Sequence, residues 1–292
     1  MHKRKKIVIV TTVMILLIFS GCVNNTNTEH NLLTKKEINV KEFQKLIDSS
    51  KLIGSILFFD PQQNFYYSND FNWAKKSRLP ASTFKIPNSI IALETGIAKN
   101  DSTILKWNGE KRAMEIWERD LTLEQAFHLS CVPCYQEIAR KIGVEKMKNY
   151  IEKFQYGNLD INAGNIDSFW LEGKSRISQF QQIDFLLRFY DGTLPITKRT
   201  ENIMKRMMII ESYDDMVLSG KTGWAQRDGS NNGWFVGYIE KGKEVYYFAT
   251  NVTPTNTFDM KYFSKIRKEI TLKAFTIIDT LKANKKYVGT NN

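Results

Sequence analysis

Apolar positions along the chain change period several times. Residues 35–48 carry a helical spacing through Ile38, Phe43, Leu46 and Ile47. Leu52 to Asp60 is rich in Ile, Leu and Phe, and Phe65 to Ser68 follows after Pro61-Gln-Gln-Asn64, which predicts a β-hairpin. Roughly residues 83–205 read as mostly helical, broken by Gly and Pro. Met216–Thr222, Gly233–Glu240 and Glu244–Val252 are short runs rich in Val, Tyr and Phe, separated by Asp-Gly, Asn-Gly and Lys-Gly. They predict an antiparallel meander. Tyr262 to Leu281 closes with helical spacing at Ile266, Ile270, Leu272, Phe275 and Ile278. The fold class expected is α+β: an antiparallel sheet built from the hairpin and the meander, flanked by N- and C-terminal helices. The helical insert forms a second lobe, and the cleft between the lobes is the expected active site.

The first residues follow a different logic. Lys3-Arg-Lys-Lys6 precedes an apolar run from Ile7 to Phe19, then Ser20-Gly21-Cys22. A basic start, a short apolar stretch and small residues before a cut read as a secretory signal over residues 1–21. The run is too short for a comfortable membrane span. Ser-Gly-Cys resembles a bacterial lipobox, which would make Cys22 a lipid anchor, residues 22–34 a polar tether and residues 35–292 a single domain. The protein is then expected to be exported, periplasmic and held to a membrane only through Cys22. Losing the four basic residues lowers the formal charge from +11 to +7. Lys and Arg are scattered, so a nucleic-acid partner is not expected.

Composition narrows the chemistry. Only three histidines occur, His2, His30 and His128, so a two-zinc hydrolase lacks ligands and no metal is expected. A Ser-His-Asp triad could draw only on His30 or His128. Cys22, Cys131 and Cys134 cannot make a disulfide framework. Cys131 and Cys134 fall with Phe127, Ile138 and Ile142 on an apolar helical stripe, which assigns them a packing role. Cys-Val-Pro-Cys also matches a thioredoxin-like dithiol, but no βαβ pattern surrounds it; whether the two bond to each other stays open.

Four motifs fall in the expected cleft. Ser82-Thr-Phe-Lys85 opens a helical run that ends at Gly96, with Ser82 as amino cap and Lys85 one turn on, on the same face. A serine nucleophile needs a base, and a lysine one turn away is the candidate when histidine is scarce. Pro87 would cost a hydrogen bond in the second turn. Ser130-Cys131-Val132 lies between two helical stretches, with Ser130 expected to cap the second and its hydroxyl free to move protons. Tyr156-Gly157-Asn158 is followed by Phe169-Trp170. Lys221-Thr222-Gly223-Trp224 sits in a strand, where Gly223 would let a ligand approach the backbone closely and free N–H groups could take an extended ligand. Each is weak alone.

In this order the four motifs resemble those of the class D serine β-lactamases, a family related to other enzymes that carry serine-x-x-lysine and lysine-threonine-glycine signatures. The resemblance covers about residues 50–282. It implies Ser82 as the acylated nucleophile and Lys85, carboxylated by carbon dioxide, as the general base. Ser130 would relay a proton to the leaving nitrogen. Val132 and Trp170 would wall the carbamate, with the indole N–H donating to it. Lys221, Thr222 and Gly223, helped by Arg267, would bind the substrate carboxylate. The backbone N–H groups of Ser82 and Trp224 would form the oxyanion hole, and Tyr156, Gly157 and Asn158 would be a structural motif. The implied substrate is a small β-lactam. No organic cofactor is implied beyond the carbon dioxide or bicarbonate that modifies Lys85. The alternative is a β-lactam sensor domain or a penicillin-binding transpeptidase that stays acylated. A buried lysine fits the assignment, because burial favours the neutral amine that attacks carbon dioxide.

Overall fold

The computed structural model describes residues 35–213, 215–227 and 230–289. The signal, Cys22 and the whole tether lie outside them. In chain order, β1 (Lys36–Asn39) and α1 (Lys41–Ser49) precede the hairpin β2 (Leu52–Asp60) and β3 (Phe65–Ser68). Next come α2 (Phe71–Lys75), a 3-10 turn (Ala81–Phe84), α3 (Lys85–Glu94), β4 (Ile104–Leu105) and β5 (Leu121–Thr122). The helical lobe continues as α4 (Leu123–His128), α5 (Val132–Ile142), α6 (Val144–Phe154), α7 (Gln179–Tyr190) and α8 (Lys198–Met207). Then β6 (Ile209–Ser212), β7 (Met216–Arg227), β8 (Ser230–Lys241), β9 (Glu244–Pro254) and α9 (Phe263–Gly289) complete the described chain.

The sheet runs β1-β3-β2-β9-β8-β7-β6, so the hairpin joins the meander through β2 and β9. The expected sheet is antiparallel, and it is so except at one edge, where β1 pairs parallel with β3. The helix expected over 35–48 is therefore shorter. Ile38 belongs to β1, and only Phe43, Leu46 and Ile47 lie in α1. Two apolar layers cover the two faces of the sheet. On one side Phe43 and Ile47 of α1 and Phe275 and Ile278 of α9 pack on Phe58, Tyr246 and Phe248. On the other, the helical lobe buries Ile86, Ile90, Phe127, Tyr135, Ile138 and Phe185 against Leu57, Val236 and Ala249. Burying both faces explains why the central strands read as near-continuous apolar runs.

Close approach inside the meander depends on missing side chains. A Cβ at Gly237 would lie 2.7 Å from Gly220 Cα and 2.8 Å from the Phe248 ring. Gly220 faces Gly237 directly across β7 and β8. This pair of glycines lets Phe248 of β9 seat over the ladder next to the strand that carries the fourth motif.

Candidate active site

The nucleophile motif is a junction of two helical forms. Ala81–Phe84 makes a 3-10 turn that runs straight into α3. Ser82 is thus inside a turn, not the amino cap that its sequence suggests. Pro87 falls in the first turn of α3, where a missing N–H is tolerated better than in a helix interior. Gly96 follows the cap Thr95 with φ +73°, as the left-handed end of α3 requires. Ala81, directly before the serine, holds φ +52°. A residue with a Cβ is held there only by its surroundings. Ala81 N–H donates to Trp170 C=O at 2.8 Å, and Thr83 Oγ1 donates to Pro80 C=O at 2.7 Å.

Lys85 Nζ lies 2.9 Å from Ser82 Oγ and is fully buried. Burial holds this amine well below the usual lysine range, and the nearby Lys221 charge lowers it further. A neutral amine beside a hydroxyl is a base rather than an ion-pair partner. Its surroundings are aromatic. The Tyr135 ring lies 5.1 Å from Nζ. The neighbouring Phe84 stacks on Trp170 at 5.3 Å and meets Phe169 edge-on at 4.8 Å. Trp170 is fully buried, yet its Nε1 donor has no protein partner. A buried donor without an acceptor is costly, so this atom marks a place built for a ligand group.

Ser130 sits in the turn between α4 and α5 with φ +55°. Cys131, one residue later, is the amino cap of α5, and Pro133 falls in the first turn. The expected cap is displaced by one residue because Ser130 takes the left-handed position that breaks the helix. Its N–H donates to Phe127 C=O at 3.1 Å. The Phe127 ring is 5.7 Å from Lys221 Nζ. Tyr135 of the same α5 touches Lys85, and its hydroxyl bonds Ser89 Oγ of α3 at 2.6 Å. Ser130 is thus framed by elements that touch both lysines. Val132 is half-buried in the first turn of α5. Cys131 and Cys134 are joined by a disulfide with Cα atoms 5.4 Å apart. The packing role expected from the stripe is thus incomplete: the helical run breaks at 129–131 and brings the cysteines to opposite ends of one turn.

The strand motif stands at the edge of β7. Pairing with β6 ends at Ser219, and Gly220 N–H still donates to Met208 C=O at 2.8 Å on that side. Strand alternation sends the N–H groups of Thr222 and Trp224 to the same side, where β6 no longer covers them. The Trp224 N–H therefore lies on the side of β7 away from β8. Gly223 also has a packing contact that its sequence does not announce. A Cβ there would lie 3.1 Å from Thr83 N and 3.2 Å from Pro80 O, so the glycine seats the nucleophile turn itself on β7. Lys221 is buried and donates to Thr222 C=O at 3.1 Å. Burial, and then the Arg267 charge, lower its ammonium to about 7. Arg267 gives its donors to the carbonyls of Phe263, Ser264, Gly223 and Trp234. It ties α9 to β7 and acts on Lys221 through its charge. Tyr156 hydroxyl donates to Gln182 Oε1 at 3.2 Å, and Gln182 Nε2 donates to Thr83 Oγ1 at 2.9 Å. Gly157 holds φ +65°, and a Cβ there would lie 2.6 Å from Arg176 O. Asn158 pairs with Arg176 in a two-way backbone bridge at 2.8 Å. This motif props the nucleophile turn from behind.

The sequence does not single out Tyr135 or Gln182, and it offers Phe127 only as a residue of the apolar stripe. Tyr135 and Phe127 lie one turn after and before a motif residue, whereas Gln182 lies near none and carries no such signal. His128 is exposed, and His30 lies outside the described residues. Among the described residues no three His, Cys, Asp or Glu side chains could hold a metal.

The chain matches the model of the penicillin binding protein transpeptidase domain over residues 24–276. It is 46% identical over 192 residues to β-lactamase OXA-10 of Pseudomonas aeruginosa, covering 65% of this chain and 72% of that protein. It is 39% identical over 217 residues to β-lactamase OXA-48 of Klebsiella pneumoniae, covering 74% and 82%. The solved class D β-lactamase of Sebaldella termitidis superposes with a TM-score of 0.79 at 36% identity, covering 84% of this chain and 98% of that one.

Proposed function

Because the chain belongs to the class D serine β-lactamases, within the penicillin-binding transpeptidase family, we propose that it hydrolyses β-lactam antibiotics through an acyl-enzyme on Ser82. The observation that carries this reading is the fully buried Lys85 amine 2.9 Å from Ser82 Oγ, with no acidic group among the causes that shift it. Ser82 Oγ attacks the lactam carbonyl while the N–H groups of Ser82 and Trp224 receive the developing oxyanion. Ser130 hands a proton to the nitrogen as the C–N bond breaks. Lys221, with Thr222, holds the substrate carboxylate, and Arg267 adds its charge from behind the strand. Water then cleaves the ester and frees Ser82.

The residues around Lys85 fit a carboxylated lysine. The neutral amine is the form that adds carbon dioxide, and Trp170 Nε1 is a buried donor in need of an acceptor. Phe84 and Val132 would shield the group from water. With carbon dioxide added, Lys85 would carry an anionic oxygen able to serve as base toward Ser82 and then water, and such a base contributes about 10²–10⁴-fold per step.

Export and a lipid anchor at Cys22 belong to the same reading. It rests on the pattern of residues 3–22 and on the Cys131–Cys134 disulfide, a bond typical of oxidising compartments. Cys22→Ser should move the protein from the membrane to the soluble fraction. Equal membrane association of variant and wild type would reject lipidation.

Purified protein should consume penicillin in large excess over many turnovers, and Ser82→Ala should abolish this. A stoichiometric burst that leaves a stable adduct on Ser82 would make the protein a sensor or a transpeptidase. The charge of Lys221 sets a second expectation. With its ammonium near 7, it is cationic below that pH and loses its hold on a carboxylate as pH rises. In the free enzyme kcat/KM should therefore fall as pH rises through about 7, since this parameter reports the free enzyme's ionisations. Lys221→Arg, charged at every working pH, should remove that limb of the profile. An unchanged limb in the variant would assign it to another group.

A further inference from the structure

The Cys131–Cys134 disulfide borders two parts of the cleft, and the chemistry above does not use it. Cys131 Sγ accepts Cys134 N–H at 3.3 Å, so the bond closes a ring on the first turn of α5 around Val132 and Pro133. Directly before the ring, Ser130 holds its left-handed backbone, a conformation uncommon for a residue with a Cβ. From behind, Cys131 N–H donates to Ala126 C=O at 2.9 Å. In front, the Arg112 guanidinium lies 3.8 Å from Cys131 Sγ and 3.6 Å from Cys134 Sγ. Arg112 also donates to Trp117 C=O at 2.6 Å, and Trp117 Nε1 donates to Leu129 C=O at 3.0 Å. The loop of Arg112 and Trp117 therefore rests on the sulfur pair at one end and on the serine's turn at the other. That loop, with Val132 and Gln136, lines a cavity of about 810 Å³.

Two familiar roles fail for this bond. A dithiol oxidoreductase needs an accessible thiolate, and Cys131 and Cys134 are 0% and 3% exposed. A staple of the whole domain needs a long loop, because the entropy removed from the unfolded chain grows with loop length. Here the two cysteines are separated by only 3 positions in sequence. What the bond can fix is the local turn.

We propose that the Cys131–Cys134 disulfide is a positioning element for Ser130. It locks the left-handed turn that presents the hydroxyl, and through Arg112 it sets the wall beside it. The proposal rests on the reading of Ser130 as the proton relay. Forming the bond removes one proton and one electron from each thiol. Both electrons pass to an external disulfide, which is reduced to its two thiols.

The test is a double-mutant cycle with a chromogenic cephalosporin, pairing Cys131→Ala/Cys134→Val with Ser130→Ala. Loss of the bond should lower kcat by roughly 10–100-fold, as a misplaced group near the chemistry does. KM should stay within about threefold, the pattern of a lost transition-state interaction. In the Ser130→Ala background the same change should cost almost nothing, because the element it positions is already gone. An equal fold-loss in both backgrounds, a rise in KM without a fall in kcat, or no change would overturn the proposal. Wild type refolded with dithiothreitol, with both cysteines shown free by alkylation and mass, should show the same low kcat. Oxidised glutathione should restore it. Full activity of that dithiol form would overturn the proposal. So would failure of both disulfide-free proteins to reach the native fold, which would make the bond a staple of the domain. A wild type without any turnover would strike the hydrolase reading first, so the two failures are distinguishable.

Discussion

A lysine ammonium cannot be buried without a counter-charge at tolerable cost. Lys85 is fully buried, and the charge that acts on it is another cation, Lys221. The amine therefore gives up its proton. The groups around it accommodate a neutral, reactive nitrogen: the Tyr135 ring, the Phe84–Trp170 stack, and the Ser82 hydroxyl within hydrogen-bond distance. A histidine-poor chain thus obtains a base through burial instead of through an imidazole.

The fold supplies that burial by joining two layers at one seam. The 3-10 turn with Ser82 packs on β7 where Gly223 has no side chain, and α3 carries Lys85 into the helical lobe. The sheet contributes the edge N–H groups and Lys221, and the lobe contributes Ser130 and the aromatic wall. The same low-dielectric seam depresses both lysines, but to different ends. Lys85 is driven to a neutral base, whereas Lys221, near 7, keeps a cationic population at neutral pH that can meet an anion. Environments that push two similar groups apart are how one site obtains both a base and an anion anchor. Arg267 lowers the Lys221 ammonium without opening toward the ligand, since its donors are held by backbone carbonyls.

Local pattern made much of this legible. The hairpin 52–68 and the meander 216–254 follow from strand composition and turn dipeptides. The Ser82–Lys85 contact follows from helical spacing. What escaped were features set by tertiary partners. The parallel edge strand at Lys36–Asn39 exists because β3 offers it an edge, not because of its own periodicity. Ser82 is not a cap because it lies inside the 3-10 turn Ala81–Phe84, whose first residue is tied to Trp170 C=O. The stripe of Phe127, Cys131, Cys134, Ile138 and Ile142 predicted a continuous helical face. The left-handed Ser130 breaks that helix, and the cysteines bond across the first turn of the next one. The packing contact of Gly223 with the nucleophile turn needed the position of Thr83.

The claim on which the rest turns is that the buried Lys85 amine is carboxylated when the enzyme works. Carbon-13 NMR of the protein equilibrated with labelled bicarbonate at neutral pH tests this directly. The account predicts one carbamate resonance in the wild type, lost in Lys85→Ala and weaker in Trp170→Ala at the same bicarbonate concentration. Fully active enzyme with no such resonance would contradict it.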